Sequence, residues 1–176
     1  VLLVIDSLTR YAMALREIGL SLDEPAATKG YPPSVFAALP RLLERVAPRA
    51  AGGSITGFYT VLVEGDDLSD PVADAARSLL DAHVVLSREM AGRGHFPAVD
   101  VLSSASRVAD RVAAAHAPLA MRCREVLGRR RQAQELQALG AYVPGATPML
   151  DRALALGDQI DAWARQPPAE STTHYH

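Results

Sequence analysis

Cysteine is nearly missing: Cys123 stands alone among 176 residues. One thiol excludes an intrachain disulfide framework and fits a reducing compartment. No apolar stretch approaches the roughly 18 residues needed to cross a bilayer. An initiator Met, a basic n-region and a signal-like start are also missing. Neither charge dominates, because 18 Lys+Arg stand against 20 Asp+Glu for a formal net charge of -2. That balance removes the electrostatic argument for nucleic acid as a partner. No internal repeat is present. His83 and His95 lack a second ligand at metal spacing, which argues against zinc. These absences lead to the expectation of a soluble, cytoplasmic chain, with any signal left to sequence upstream of Val1. Its 49% hydrophobic content is ordinary for a globular protein, and its length suits one domain with a small appendage.

What is present begins at residue 1. Val1 to Ile5 are apolar and Asp6 comes next. Such a run suits a strand buried on both faces of a parallel sheet. An acid at the carboxyl end of that strand sits where open α/β sheets bind ligands. The pattern resembles the Walker B strand of P-loop nucleotide hydrolases, whose Asp holds Mg2+. That strand comes after a phosphate loop, so residue 1 is expected not to be the natural start.

Leu8, Tyr11, Leu15 and Ile18 recur at helical spacing and predict a helix from 8 to about 20. Pro25, Gly30, Pro32 and Pro33 mark 21–33 as a loop. A second helix is expected from Ser34 to Val46, and a strand over Ser54 to Val63. An acidic loop, Glu64 to Asp70, comes after that strand. Pro71 then suits the first turn of a helix whose inner face is Val72, Ala76, Leu79 and Leu80. His83 to Ser87 reads as a third apolar strand, and 94–107 as a mainly non-helical segment. Beyond Val108 the pattern is helical to Gln166. One helix runs from Pro118 to before Gly140, a C′ glycine. Another starts with Thr147 as N-cap, Pro148 at N1 and Asp151 in the first turn, with Leu150, Leu154, Ile160 and Trp163 on its apolar side. The polar, aperiodic tail from 167 to 176 reads as disordered. The expected plan is three strands of a parallel sheet and then helices, with a sheet edge left open.

Longer motifs carry a resemblance. DSLTRYAMALREIGL, EPAATKGYPPSVFAALPRLLER, GGSITGFYTVLVEGDDLSDPVADAARSLLDAHVVLSRE and GHFPAVDVLSSASRV closely resemble the type III secretion and flagellar protein-export ATPases, over residues 1 to about 110. GAYVPGATPMLDRALAL extends the match more weakly. That family is itself similar to the catalytic subunits of rotary ATP synthase. The resemblance implies an α/β fold, the carboxyl-terminal half of a RecA-like P-loop nucleotide-hydrolase core, followed by a small all-α domain. The core would span 1–110, the helical domain 111–166 and the disordered tail 167–176. It also implies ATP hydrolysis energising protein export, in a hexameric ring. ATP and Mg2+ are the implied cofactors. The implied partners are the stalk and regulator proteins of the export apparatus, export substrates and chaperones. Peripheral association with the cytoplasmic face of the bacterial inner membrane goes with them.

By the same resemblance, Asp6 matches the Walker B acid that holds Mg2+, usually through water. Arg10 matches an arginine near the phosphates. Arg107, in SSASR, matches the arginine finger that reaches a neighbouring subunit's site. Phe96 matches an aromatic that packs on adenine, where Tyr is commonest. No GxxxxGK[ST] loop occurs in the chain, and the glutamate that polarises the attacking water is absent. The chain by itself is therefore expected not to hydrolyse ATP. The alternatives are a non-catalytic interaction module and a rotary ATP synthase subunit. Flagellar and virulence export both stay open.

Plainer readings stand beside these. An Asp ending a strand is often only a turn residue, and DSLTR behind Asp6 is what favours the Mg2+ role. Arg107 alone would read as a surface or salt-bridged arginine, and Phe96 alone as core. Glu64, Asp66 and Asp67 read as a solvated loop rather than a metal cluster. Cys123 reads as core. Arg129 to Arg131 read as a solvated helix face, with a docking patch for an acidic partner as the alternative.

Overall fold

In the computed structural model, which describes residues 1–48, 50–67, 69–166 and 170, the chain divides into two units, Val1–Asp81 and Ala82–His176. The first contains strand β1 (Leu2–Ile5), helices α1 (Leu8–Ser21) and α2 (Pro33–Leu43), strand β2 (Thr56–Tyr59) and helix α3 (Pro71–Leu79). β1 and β2 pair in parallel, with Leu2 opposite Thr56 and Ile5 opposite Tyr59. Parallel neighbours need a crossover, and α1 and α2 provide it.

Each helix start has a local cause. Ser7 is extended and its Oγ accepts from the Arg10 N–H at 3.3 Å, capping α1. α2 carries Pro in its first turn, where the missing N–H is no loss. Asp70 caps α3 by accepting from the Val72 and Ala73 N–H groups at 2.9 and 3.0 Å, with Pro71 at N1 as expected. The inner faces then meet. Ala12, Val35, Leu39 and Val72 are fully buried together with Tyr31, and Leu8, Leu43 and Ala76 form a second buried cluster.

Several expectations change in this unit. The strand expected over Ser54 to Val63 is confined to Thr56–Tyr59, and Leu79 is exposed rather than on the inner face of α3. β1 is not buried on both faces, for Leu2 and Val4 are 65% and 62% exposed. Among the described residues β2 is its one neighbour, and alternate side chains of a strand point to opposite faces. α2 stops at Leu43, short of Val46. Ile18 is exposed, so the apolar stripe of α1 is buried at its amino-terminal end and not along its whole length.

The second unit contains strand β3 (Ala82–Leu86), helix α4 (Arg88–Gly92), strand β4 (Val99–Ser106), and helices α5 (Ala109–Val112), α6 (Ala117–Ala138) and α7 (Pro148–Ala164). β3 pairs with β4, and the pairing is antiparallel rather than parallel. The segment expected to be irregular supplies the partner strand. It returns after the short helix α4, and the Ser87 N–H donates to the Ala98 carbonyl at 2.8 Å.

α6 ends at Leu139 and Gly140, whose positive φ of 69° makes it the expected C′ residue. The Leu136 carbonyl accepts from the Ala141 and Tyr142 N–H groups. Thr147 holds the N-cap position of α7 in extended backbone, but its side chain makes no capping bond. Asp151 instead accepts from the Tyr142 hydroxyl and from the Gly145 N–H at 3.0 Å, fixing the loop from inside the first turn. Leu150 and Ala153 are buried, whereas Trp163 is 84% exposed and leaves the expected apolar side.

The arginine run is not simply solvated. Arg130, 16% exposed, pairs with Asp158 at 2.8 Å and Asp161 at 2.5 Å, and donates to the Gly157 carbonyl at 3.3 Å. A Cβ on Gly157 would run into the Arg130 Cδ, so glycine is what lets this side chain cross α7. Arg131 pairs with Asp100, and Arg129 with Glu125. Cys123 is half-buried. No described helix is long and apolar enough to cross a membrane. The expected tail, 167–176, lies outside the described residues apart from Glu170, as does the side chain of Asp66.

Candidate functional site

Asp6 stands one residue past β1, and Thr60 one residue past β2. The parallel register brings these positions level. The Thr60 hydroxyl donates to Asp6 Oδ1 at 2.5 Å. The backbone around them is stitched. Thr60 N–H donates to the Ile5 carbonyl at 3.1 Å, and Leu8 N–H donates to the Thr60 carbonyl at 2.9 Å. Thr9, buried in the first turn of α1, completes the seam. Its Oγ1 accepts from Leu62 N–H at 2.8 Å and donates to the Leu62 carbonyl at 3.3 Å. Asp6 is thus an exposed carboxylate on a platform fixed by two threonines. Arg10 lies on the first turn of α1, also exposed.

The donor set can be tested against Mg2+. Asp6 presents hard oxygen, one atom of which already has a hydroxyl donor. No group of three or more His, Cys, Asp or Glu forms a metal cage among the described residues. Mg2+ keeps most of its waters and is usually held by one or two carboxylates with substrate phosphates, not by an all-protein cage. A single exposed Asp at a strand end fits that mode.

The acidic loop is tied down rather than loose. Asp67 accepts from Ser69 Oγ at 2.5 Å and Ser69 N–H at 2.9 Å, and from Lys29 Nζ at 2.9 Å. The Ser69 hydroxyl, with Lys29 next, holds its carboxyl at about 2, below the ordinary 3.8. Lys29 belongs to the TKG turn, where Lys29 and Gly30 both take positive φ. The Gly30 carbonyl accepts from Arg16 Nε at 2.9 Å, and the Arg16 guanidinium lies 5.6 Å from the Tyr31 ring centre.

Phe96 and Arg107 belong to the second unit and flank β4. Phe96 is half exposed beside the buried His95. The Phe96 carbonyl accepts from the Gln166 N–H at 2.8 Å, and Arg165 Nε approaches His95 Nδ1 at 3.5 Å. The end of α7 therefore docks on the Phe96 segment. Arg107 is exposed immediately after β4. So Asp6 and Arg10 share one unit, and Phe96 and Arg107 share the other. Thr60, Thr9 and the Arg124 and Asp100 contacts around β4 were not legible as site residues. For Thr60 a signal existed, since two parallel strand ends side by side place their next residues together.

The sequence matches the model for the ATP synthase alpha/beta family, nucleotide-binding domain, over residues 1–106. Residues 112–176 match the T3SS EscN ATPase C-terminal domain. A flagellum-specific ATP synthase of Pseudomonas aeruginosa is 54% identical over 168 residues, covering 94% of this chain and 37% of that protein. A type 3 secretion system ATPase of Pseudomonas syringae pv. tomato is 51% identical, again with 94% and 37% covered. The chain thus spans little more than a third of the length of these relatives. Among solved structures, the assembled ATPase EscN from the enteropathogenic E. coli type III secretion system superposes with a TM-score of 0.88 at 43% identity, covering 98% of this chain and 42% of that one. EscN in complex with its central stalk EscO gives 0.81 at 40% identity, with 98% and 41% covered. By these matches the chain belongs to the ATP synthase alpha/beta family, in the branch of the flagellar and type III secretion ATPases.

Proposed function

We propose that this chain forms part of an ATP-hydrolysing ring that energises protein export through a flagellar or type III secretion apparatus. The observation that carries this reading is Asp6, held by Thr60 at the carboxyl ends of two parallel strands, inside a family match running from residue 1 to 106. Asp6 takes the Mg2+-facing position, through water. Mg2+, when bound, neutralises charge that develops on the transferred phosphoryl group. Arg10, on the first turn of α1, faces the phosphates. Phe96 stacks on adenine, and its exposed ring needs no hydroxyl for that. Arg107 acts in trans as the finger of a neighbouring subunit's site, a guanidinium placed where negative charge grows in the transition state.

The ring reading is supported by similarity to the assembled EscN, and a stalk partner by similarity to EscN with EscO. Regulator proteins, export substrates and chaperones, and a place at the cytoplasmic face of the inner membrane, go with the export role. The division into a nucleotide core to residue 110 and helices over 111–166 is supported by the separate family matches to 1–106 and 112–176.

The test uses the full-length protein. Arg107→Ala lowers turnover by about 10³-fold or more while nucleotide binding stays intact. Asp6→Asn weakens nucleotide binding in the presence of Mg2+ but not in its absence. If Arg107→Ala instead loses binding and folding together, Arg107 is structural and the trans reading fails.

A further inference from the structure

The strand that ends just before Arg107 does not run straight. β3 goes from His83 to Val85 while β4 goes from Ala105 to Asp100, so β4 bulges between those two pairs. A bulge interrupts the ladder, bends its strand and re-aims the side chains beyond it. Its backbone groups then need partners from elsewhere.

Two sets of side chains supply them. From within, Asp100 Oδ1 accepts from the Leu102 and Ser103 N–H groups at 2.9 and 3.1 Å, and Oδ2 accepts from Ser103 Oγ at 2.7 Å. Ser104 Oγ accepts from Val85 N–H at 2.9 Å and donates to the Asp100 carbonyl at 2.6 Å. From outside, α6 contributes two arginines. Arg124 Nη1 donates to the Val101 carbonyl at 2.7 Å, and its Nη2 to the Ser104 and Leu102 carbonyls at 3.1 and 3.4 Å. Arg131, two turns along α6, pairs with Asp100 at 3.1 Å. One guanidinium thus gathers three carbonyls of a bulge that ends just ahead of Arg107. A guanidinium offers donors in a fixed planar fork, which an ammonium cannot copy.

We propose that Arg124 is a positioning residue for Arg107. By holding the bulge of β4 in one shape, it sets the direction in which Arg107 leaves the strand. This inference rests on the reading of Arg107 as the finger. The hydrogen bonds of Arg124 go to the backbone of β4, so acting through Arg107 its effect falls on the rate of the chemical step and not on nucleotide affinity.

The test compares Arg124→Ala, Arg124→Lys, Arg107→Ala and the Arg107→Ala/Arg124→Ala double variant in the full-length protein. The readouts are kcat and KM for ATP, binding of a fluorescent ADP analogue, ring size by gel filtration and melting temperature. Arg124→Ala is expected to lower kcat about tenfold or more, as misplacement at a distance can. KM, ADP binding and ring size stay within about twofold of the parent. Arg124→Lys lies between parent and Ala. The double variant is no slower than Arg107→Ala, because the two act on one feature. If Arg107→Ala is inactive while Arg124→Ala keeps full kcat, the positioning role is overturned and the finger stands. If Arg107→Ala keeps its turnover, the finger reading fails and the positioning role with it. Should Arg124→Ala not fold, Arg124→Lys decides: folded with reduced kcat supports the proposal, and folded with full kcat overturns it.

Discussion

The two units hold themselves together by different means. In Val1–Asp81, Leu8, Ala12, Val35, Leu39 and Val72 are sealed from water by three helices. Beyond Asp81, α6 runs from Ala117 to Ala138 with Ala133 as its one buried residue, and Arg124, Arg130 and Arg131 tie it to β4 and α7. Apolar burial is strong but non-directional. Charge-assisted hydrogen bonds are directional and fix geometry. The difference is one of kind. The unit that carries Asp6 has a packed apolar core, and the unit that carries Arg107 has guanidinium forks.

That contrast can be broken most severely at Leu39. Leu39→Ala leaves a cavity in the core of the first unit and should cost about 2–5 kcal/mol in chemical denaturation. A loss below about 1 kcal/mol would mean that the core collapses readily and is no firmer than the second unit. Arg130 comes next. Arg130→Ala strands Asp158 and Asp161, and a loss of about 1–3 kcal/mol is expected. The loss should shrink as salt rises, whereas that of Leu39→Ala should not. Gly157→Ala should act in the same direction, because its methyl meets the Arg130 stem. Equal salt dependence for both sites would erase the distinction.

The smallest effect belongs to Asp67, a polar clamp inside the apolar unit. Its carboxyl sits at about 2, from an ordinary 3.8. A depressed folded value means that its contribution is complete above about pH 4 and is lost as pH falls through about 2. Unfolding midpoints of the parent and Asp67→Asn should therefore differ above pH 4 and converge towards pH 2. A difference that persists at pH 2 would exclude this carboxylate as its source. Exposure of the Lys29–Asp67 pair keeps the effect small.

Local signals in the sequence were legible and non-local ones were not. Pro71 and Gly140 act through their own backbone neighbourhood, and each helix boundary they mark is present. Asp6 was readable because an apolar run ending in an acid needs no partner to be noticed. β4 was hidden because VDVLSSAS mixes small polar residues into a strand that owes its place to β3 and α6. Strand direction was hidden too, since an apolar run such as AHVVL carries no mark of parallel or antiparallel pairing. The arginines of α6 looked solvated because their acidic partners, Asp100, Asp158 and Asp161, lie 28 or 31 positions away. Thr147 met every compositional rule for a cap, yet Asp151 holds the loop instead.

The hydrogen bond from Gln166 to the Phe96 carbonyl has a bearing on the order of events during synthesis. It joins distant parts of the chain and cannot form until the whole of α7 has emerged. Contacts this far apart in sequence close slowly, because the loop between them must be ordered first. A nascent chain would carry the Phe96 segment undocked through the making of α5, α6 and α7. The side proposed to face adenine can thus be finished only once α7 has been made, after every residue of the Asp6, Thr60 and Leu62 seam is already in the chain.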